Sequence, residues 1–385
     1  MPWNAIAAGI AKVAGTGAAE AVSSRLTKQG IQLFQEYAQP WIKTKINRTY
    51  AERYLSLTSS QLCNFYSNEK PLTYNFGNKV FQLPMSLVIS PTSSESAENE
   101  KIKIALISKK YEVSSRIAMY TIPLLERLKK GTDSRLFDGE VVRLQAIDNS
   151  GDNYWNLTVA QGSYFEALAT NFAMDHCPSG MTQSLRELLS DRTRVLGDIS
   201  KNPLVNHIGI VCMVESTDGM LVVQKRSAKV ANRPGSLSSS VSGVLDWKDI
   251  KNEQHWSITG LARGTLRESF EELGVHLQQL WFLGLVREYL RGGKPEFYFF
   301  AKSDQSYHEI EKRRKTARGR FESKGIVPYE FYTDMINDKA QSKYAFYDRV
   351  IKVLEKTGKE ANLTLVAGIC LTAARLLEIK SGEST

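Results

Sequence analysis

The chain has 385 residues, 42% of them hydrophobic, and a formal charge of +9. That length favours two or three domains over one, and the composition excludes wholesale disorder. The positive balance suits acidic partners such as nucleotides, sugar phosphates, nucleic acid or anionic lipid, without choosing among them.

At the N-terminus, AIAAGIAKVAGTGAAEAV (Ala5 to Val22) is rich in small apolar residues. No basic segment precedes it and Lys12 and Glu20 interrupt it, so neither a signal peptide nor a membrane span is expected. Ile6, Ile10 and Val13 share a helical face, which reads as an amphipathic helix for docking on the body or a partner. Residues 1 to about 60 read as a helical segment, broken near Pro40. KVFQLPMSLVIS and IKIALISKKY are short alternating runs on either side of a polar acidic loop, TSSESAENE. EVVRLQAI and YWNLTVAQGSYFEALATNFAMD predict further strands and then a helix, so residues 61–201 read as an α+β lobe. From Asn202 onward, IGIVCMVES and GMLVVQKRS predict strands flanking a turn at Thr217-Asp218-Gly219. SLSSSVSGVLD is another extended piece. A helix is predicted over Leu261 to Leu273, with Gly264 lowering its propensity. WFLGLVREYL and PEFYFFAKS predict strands around Arg291-Gly292-Gly293-Lys294, and ANLTLVAGICLTAARLLEI predicts a last helix. Cys63, Cys177, Cys212 and Cys370 are far apart, which indicates thiols of a reducing, cytoplasmic compartment and no zinc or disulfide framework.

The chemistry concentrates in LRESFEELGV, Leu266 to Val275. On a helix Glu268 and Glu272 are i and i+4, and Glu271 is i+3 from Glu268, so three carboxylates share a side. Like charges so placed repel, and a divalent cation removes the penalty. Carboxylate oxygens suit Mg²⁺ or Mn²⁺, which keep waters and contact substrate phosphates. The alternative is an ordinary solvated acidic face. Elsewhere, KRRKTARGR (Lys312 to Arg320) is a basic run that reads first as a solvated helix face, the histidines lack metal-ligand spacing, and Phe297 to Phe300 read as strand core.

R-E-S-F-E-E-L-G-V resembles R-E-U-x-E-E-x-G-U, the second half of the Nudix box, with Ser269 at a normally apolar position. LVVQKRS and PGSLSSSVSGVLD upstream resemble the strand and glycine-containing loop that precede the box helix. The resemblance covers about Asn202 to Phe331. It implies a Nudix α/β/α sandwich over residues 202–385, an α/β (α+β) protein overall. The full pattern, G-x5-E-x7-R-E-U-x-E-E-x-G-U, is not kept: Thr259 stands at the earlier glutamate position and Glu253 at the glycine position. With Gly243 as the box glycine, an insertion of roughly Trp247 to Trp256 separates loop from helix, and Asp246 is the candidate replacement for the first glutamate. The UDP-glucose pyrophosphatase branch of the superfamily has a similar interruption. Further short likenesses to it are VVRL, SYFEALATN, NPL and QKRSAKVANRPG.

Carried over position by position, the resemblance implies Glu268 and Glu272 as metal ligands, with Glu271 a third ligand or the water-orienting base. Arg267 would tie helix to loop, and the Gly243 carbonyl would complete the metal site. Lys225 and Arg226 end a strand facing the diphosphate; alternation turns one inward, and Arg226 is preferred for its bidentate reach. The implied activity is Mg²⁺- or Mn²⁺-dependent cleavage of a nucleoside diphosphate linked to another group, such as a UDP-sugar to UMP and sugar 1-phosphate. A non-catalytic nucleotide sensor is the alternative. WIKTKINRTYAERYLSL is reminiscent of modules fused to NACHT-type bacterial defence proteins, which would place such a sensor in prokaryotic defence or signalling. The expected partners are a small nucleotide and, through the N-terminal helix, a protein or a second copy; nucleic acid is not expected.

Overall fold

The computed structural model describes residues 53–54, 57–92, 96–97, 100–130, 138–149, 154–178, 181–190, 193–228, 235–250, 258–336 and 340–381. Most of the N-terminal helical segment read over residues 1–60 therefore lies outside the described residues, as does the end of the box insertion. In chain order the elements are β1 (Arg53–Tyr54), α1 (Ser59–Phe65), β2 (Leu72–Phe76), β3 (Lys79–Leu83), β4 (Met85–Ile89), β5 (Ile102–Leu106), α2 (Ala118–Lys130), β6 (Glu140–Asp148), β7 (Trp155–Ser163), α3 (Tyr164–Ala169), β8 (His176–Cys177) and α4 (Leu185–Ser190). There follow β9 (Gly209–Glu215), β10 (Met220–Arg226), β11 (Leu237–Ser238), β12 (Val241–Val244), α5 (Trp247–Ile250), α6 (Thr259–Leu273), β13 (Leu280–Glu288), β14 (Lys294–Lys302), α7 (Tyr307–Arg314), β15 (Ser323–Glu330), α8 (Ala340–Thr357) and α9 (Leu363–Ser381).

The main sheet runs β11-β10-β9-β14-β13-β4, with β12 also on β9 and β15 also on β10. β9 and β14 are parallel, pairing Ile210 with Phe297 and Cys212 with Phe299. Both are buried along almost their whole length, and their central stretches, Ile210–Val214 and Phe297–Ala301, read as apolar runs, as expected of a strand covered on both sides. Their side chains part by alternation. Ile210, Cys212, Val214, Phe297 and Phe299 join one core with Leu261 and Leu273 of α6. Val211, Met213, Tyr298 and Phe300 join another with Phe346 of α8 and Leu365 and Ile369 of α9. This is the expected α/β/α sandwich. The aromatic run Phe297 to Phe300 is core, 0–1% exposed.

The α+β lobe is joined to that sandwich. Its small sheet, β5-β7-β6, packs Ile104, Val142, Leu144 and Val159 into the core beneath α6. Val142 N donates to the Leu245 carbonyl, and Ile208 N donates to the Val142 carbonyl. β4 is the outer strand of the main sheet, on β13. Among the described residues the cysteines are free thiols, and no helix is long and apolar enough to cross a membrane.

Candidate functional site

α6 ends at Gly274, whose left-handed conformation (φ 71°) lets its N–H return to the Phe270 carbonyl and stops the helix. Ser269, at the position normally apolar, is fully buried, and its hydroxyl donates to the Leu266 and Val275 carbonyls at 2.8 and 3.2 Å. The hydroxyl is thus satisfied internally and costs the core little. Arg267 leaves the helix toward the preceding loop. Its Nε and Nη2 donate to the two carboxylate oxygens of Asp249 at 3.0 and 2.9 Å, and Nη2 reaches the Val244 carbonyl at 3.3 Å. Asp246, the residue singled out in sequence, is 3.6 Å from Arg267 and closer to Lys248, at 2.9 Å. Asp249 is therefore the carboxylate that ties loop to helix.

Glu268 and Glu272 turn toward β10 and β12. Glu272 is 5% exposed; its carboxylate accepts from Gln224 Nε2 at 2.8 Å and from Ser242 N at 3.1 Å. Glu268 lies flat on Gly243, where an added Cβ would come within 2.3 Å of its carboxyl carbon. Glycine at this strand position is what allows the close approach. Burial raises Glu268 to about 7, although the adjacent Arg267 guanidinium, 2.9 Å away, pulls it down. Burial raises Glu272 well above the usual carboxylate range, and the Glu268 and Glu322 charges raise it further. Two desolvated carboxylates thus sit one turn apart with their negative charge incompletely balanced.

The other residues read from sequence divide around this pair. Alternation puts Arg226 on the same strand face as Gln224, and its charge acts on both Glu272 and Glu322. Lys225 points away and meets Glu360 at 3.8 Å. Glu271 turns outward, 28% exposed at its side chain, toward Arg267 (3.4 Å) and Arg318 (3.9 Å). The basic run is partly structural: Arg314 is buried and donates to Ser323, while the turn beyond α7 holds Gly319 N on the Glu271 carbonyl at 2.6 Å. That turn delivers Glu322, which sequence reading did not single out. Burial raises its carboxyl, and the Arg226 charge lowers it. Tyr164, at the start of α3, also lies in the electrostatic field of Arg226 and Glu322, so the lobe borders the site.

By donor chemistry and charge, Glu268 and Glu272 fit a divalent cation as two of its ligands; substrate oxygens and water would supply the rest. Among the described residues no three His, Cys, Asp or Glu side chains converge as a finished metal cage.

No protein-family model matches the sequence, and no curated protein matches it. Among solved structures, it is similar to the DR0079 protein of Deinococcus radiodurans, with 14% identity over 42% of this chain and 80% of that one and a TM-score of 0.28. It is also similar to Tm1382, a candidate Nudix hydrolase (14% identity, 39% and 71% covered, TM-score 0.23). A MutT protein from Methanosarcina mazei Go1 is a third (13% identity, 38% and 94% covered, TM-score 0.20). Likenesses this slight leave the site to be read from its own geometry.

Proposed function

We propose that the chain is a Mg²⁺- or Mn²⁺-dependent hydrolase of the Nudix type. It cleaves the diphosphate of a nucleoside diphosphate linked to another group; the short matches to the UDP-glucose pyrophosphatase branch make a UDP-sugar the first substrate to try. The observation that carries the reading is the Glu268–Glu272 pair on one helical face, Glu272 buried and Glu268 partly buried, with the Arg226 charge acting on Glu272. A cation on that pair would polarise a phosphoryl oxygen and acidify an attacking water. Gln224 and the Ser242 amide hold the Glu272 carboxylate in one orientation. Asp249 fixes Arg267, and with it the position of the helix against α5 and the end of β12. Arg226 is placed to meet diphosphate oxygens through two donors. Glu322, raised by burial, is suited to take a proton from water.

The test is product analysis on UDP-glucose, ADP-ribose, NAD and capped or dinucleotide phosphates, with and without Mg²⁺. Turnover that requires the metal is expected; metal-independent cleavage would sink the assignment. The second reading, a nucleotide sensor, rests on the altered pattern, in which Thr259 stands at the earlier glutamate position. It requires ligand-induced stabilisation without any product. In either case the site lies beyond Asn202, so deletion of the first 45 or so residues should change association and leave chemistry intact. A folded truncation that had lost turnover would contradict this.

A further inference from the structure

Away from the acidic pair, the lobe contains a cavity of about 210 Å³ lined by Lys109, Lys110, Tyr111, Arg143, Gln145 and Asn202, with Ile107, Glu112 and Pro203 at its margins. β6 creates it: Val142 and Leu144 enter the main core, alternation turns Arg143 to the opposite face of the small sheet, and Gln145 joins the lining where the register shifts between Leu144 and Ala146. The loop leaving β5 covers that face. Both its ends are fastened to β7, by Ile107 N on the Val159 carbonyl and Tyr111 N on the Gln161 carbonyl, each at 2.9 Å. Lys109 and Lys110 are therefore exposed between two fixed points. Tyr111 Oη donates to the Pro203 carbonyl at 2.7 Å and closes the far wall.

Arg143 gives the cavity its character. It is 8% exposed, its Nε donates to the Val205 carbonyl at 3.1 Å, and its guanidinium lies 5.0 Å from the centre of the Tyr111 ring. The other guanidinium nitrogens form no hydrogen bond among the described residues, yet neither is sealed from solvent. Among the described residues no carboxylate forms an ion pair with Arg143, Lys109 or Lys110, and Glu112 is no exception. A desolvated guanidinium normally has an anion against it, because a buried unpaired charge costs several kcal/mol. Here the Glu166 charge acts on Arg143 without forming an ion pair with it, and two lysines add to the positive field.

We infer that this cavity is a second ligand site, separate from the acidic pair, that binds a phosphate-bearing small molecule. The planar fork of Arg143 would take two oxygens and the lysines the remaining charge. The inference does not depend on the proposed hydrolysis.

Titration calorimetry of the full chain with inorganic phosphate, without divalent metal and at low salt, tests it. In the metal-free chain phosphate can meet either Arg143 or Arg226, and the variants below assign any saturable binding to one of them. Lys109→Ser with Lys110→Ser, both exposed, should weaken binding at least about tenfold, the loss of two charge-assisted contacts. Arg143→Lys, which keeps the charge and loses the fork, should also weaken it. Glu272→Gln should leave phosphate affinity unchanged. The lysine pair should leave turnover unchanged if the chain is a hydrolase. Absence of saturable phosphate binding, or full affinity in the double lysine variant, would overturn the site. So would loss of binding in Arg226→Ala, which would move the phosphate to the acidic site.

Discussion

Two buried charge clusters in this molecule follow opposite rules. Near the tip of the β13–β14 hairpin, Arg186 is 1% exposed and fully engaged. It pairs with both Asp175 oxygens at 2.6 and 2.9 Å and donates to Tyr66 Oη and to the Tyr289 and Leu290 carbonyls. Its charge and its donors are matched by acceptors, and the lobe is thereby clamped to the sandwich. At α6, Glu268 and Glu272 stand one turn apart with like charges; Arg267 pairs with Glu268 at 2.9 Å, whereas Glu272, 5% exposed, is met by the neutral Gln224 and Ser242 amide. The first cluster is closed by the protein itself. The second leaves Glu272 without an ion pair among the described residues, and the proposed cation site rests on that difference.

The largest effect should come from breaking the closed cluster. Asp175→Ala leaves the Arg186 guanidinium buried without its carboxylate, which should cost about 3–5 kcal/mol of stability. Urea unfolding measures it, and turnover per folded molecule should remain near wild type. A loss under about 1 kcal/mol, typical of an exposed pair, would mean that Arg186 is not the clamp it looks like.

Breaking the open cluster should do the reverse. Glu272→Gln should lower turnover at least about a hundredfold, or about 2.7 kcal/mol of transition-state stabilisation. The carboxamide oxygen can still accept from Gln224 or Ser242, so the fold should survive, and metal-free stability should hold or rise as repulsion is relieved. Glu268→Gln should behave alike. Near wild-type rates in both would return the helix to a solvated acidic face.

Titration separates the clusters as well. Burial raises Glu268 from 4.5 to about 7, and burial with the Glu268 charge raises Glu272 well above the usual carboxylate range. Between the unfolded and folded values the native state holds more protons than the unfolded one. Metal-free stability from these groups is thus greatest below about pH 4.5 and is lost as pH rises through about 7. Mg²⁺ affinity should climb over the same interval, since the metal competes with those protons. Thermal melts with and without Mg²⁺ from pH 5 to 8 would show both trends, and Glu268→Gln/Glu272→Gln should flatten them.

A smaller loss, about tenfold, is expected from Asp249→Asn, which halves the bidentate grip on Arg267 and loosens the helix against its loop. Asp246→Asn should matter less, being 3.6 Å away and shared with Lys248. Equal effects in turnover assays would show that the two aspartates act as one.

How far this was legible in the sequence depends on distance along the chain. The β9–β10 hairpin, the box helix and the β13–β14 pair are local patterns of alternation and helical spacing, and they were read within a few residues. The i, i+4 geometry of Glu268 and Glu272 was equally local. Strand alternation allowed only one of Lys225 and Arg226 to face inward, and the bidentate reach of the guanidinium, not the spacing, favoured Arg226. Asp249 was missed because the insertion breaks the box register, and only the turn of α5 brings its carboxylate back to Arg267. Glu322 was missed because it reaches the pair through the turn after α7, with no periodicity to announce it. The helix over Ala340–Thr357 is not among the elements read, although Phe346, Val350, Val353 and Leu354 have an amphipathic spacing and are buried.

The smallest effect should belong to Glu271, which sequence placed beside Glu268 and Glu272 as ligand or base. The three glutamates share one broad helix side, but at about 100° per residue i+3 and i+4 flank Glu268 to its left and right, so their side chains can diverge. The fold uses that divergence. Glu272 turns inward to Gln224, whereas Glu271 turns to Arg267 and to Arg318 on the turn after α7. Its carboxylate steadies two arginines, one of them 86% exposed, so little electrostatic energy is at stake. Glu271→Gln should therefore lower turnover by about threefold to tenfold, against a hundredfold for its neighbour, with Mg²⁺ affinity nearly unchanged. Parallel kinetics of the three single variants would decide it. Equal losses at Glu271 and Glu272 would mean that the carboxylate swings inward when metal and diphosphate bind, making the open cluster a triad.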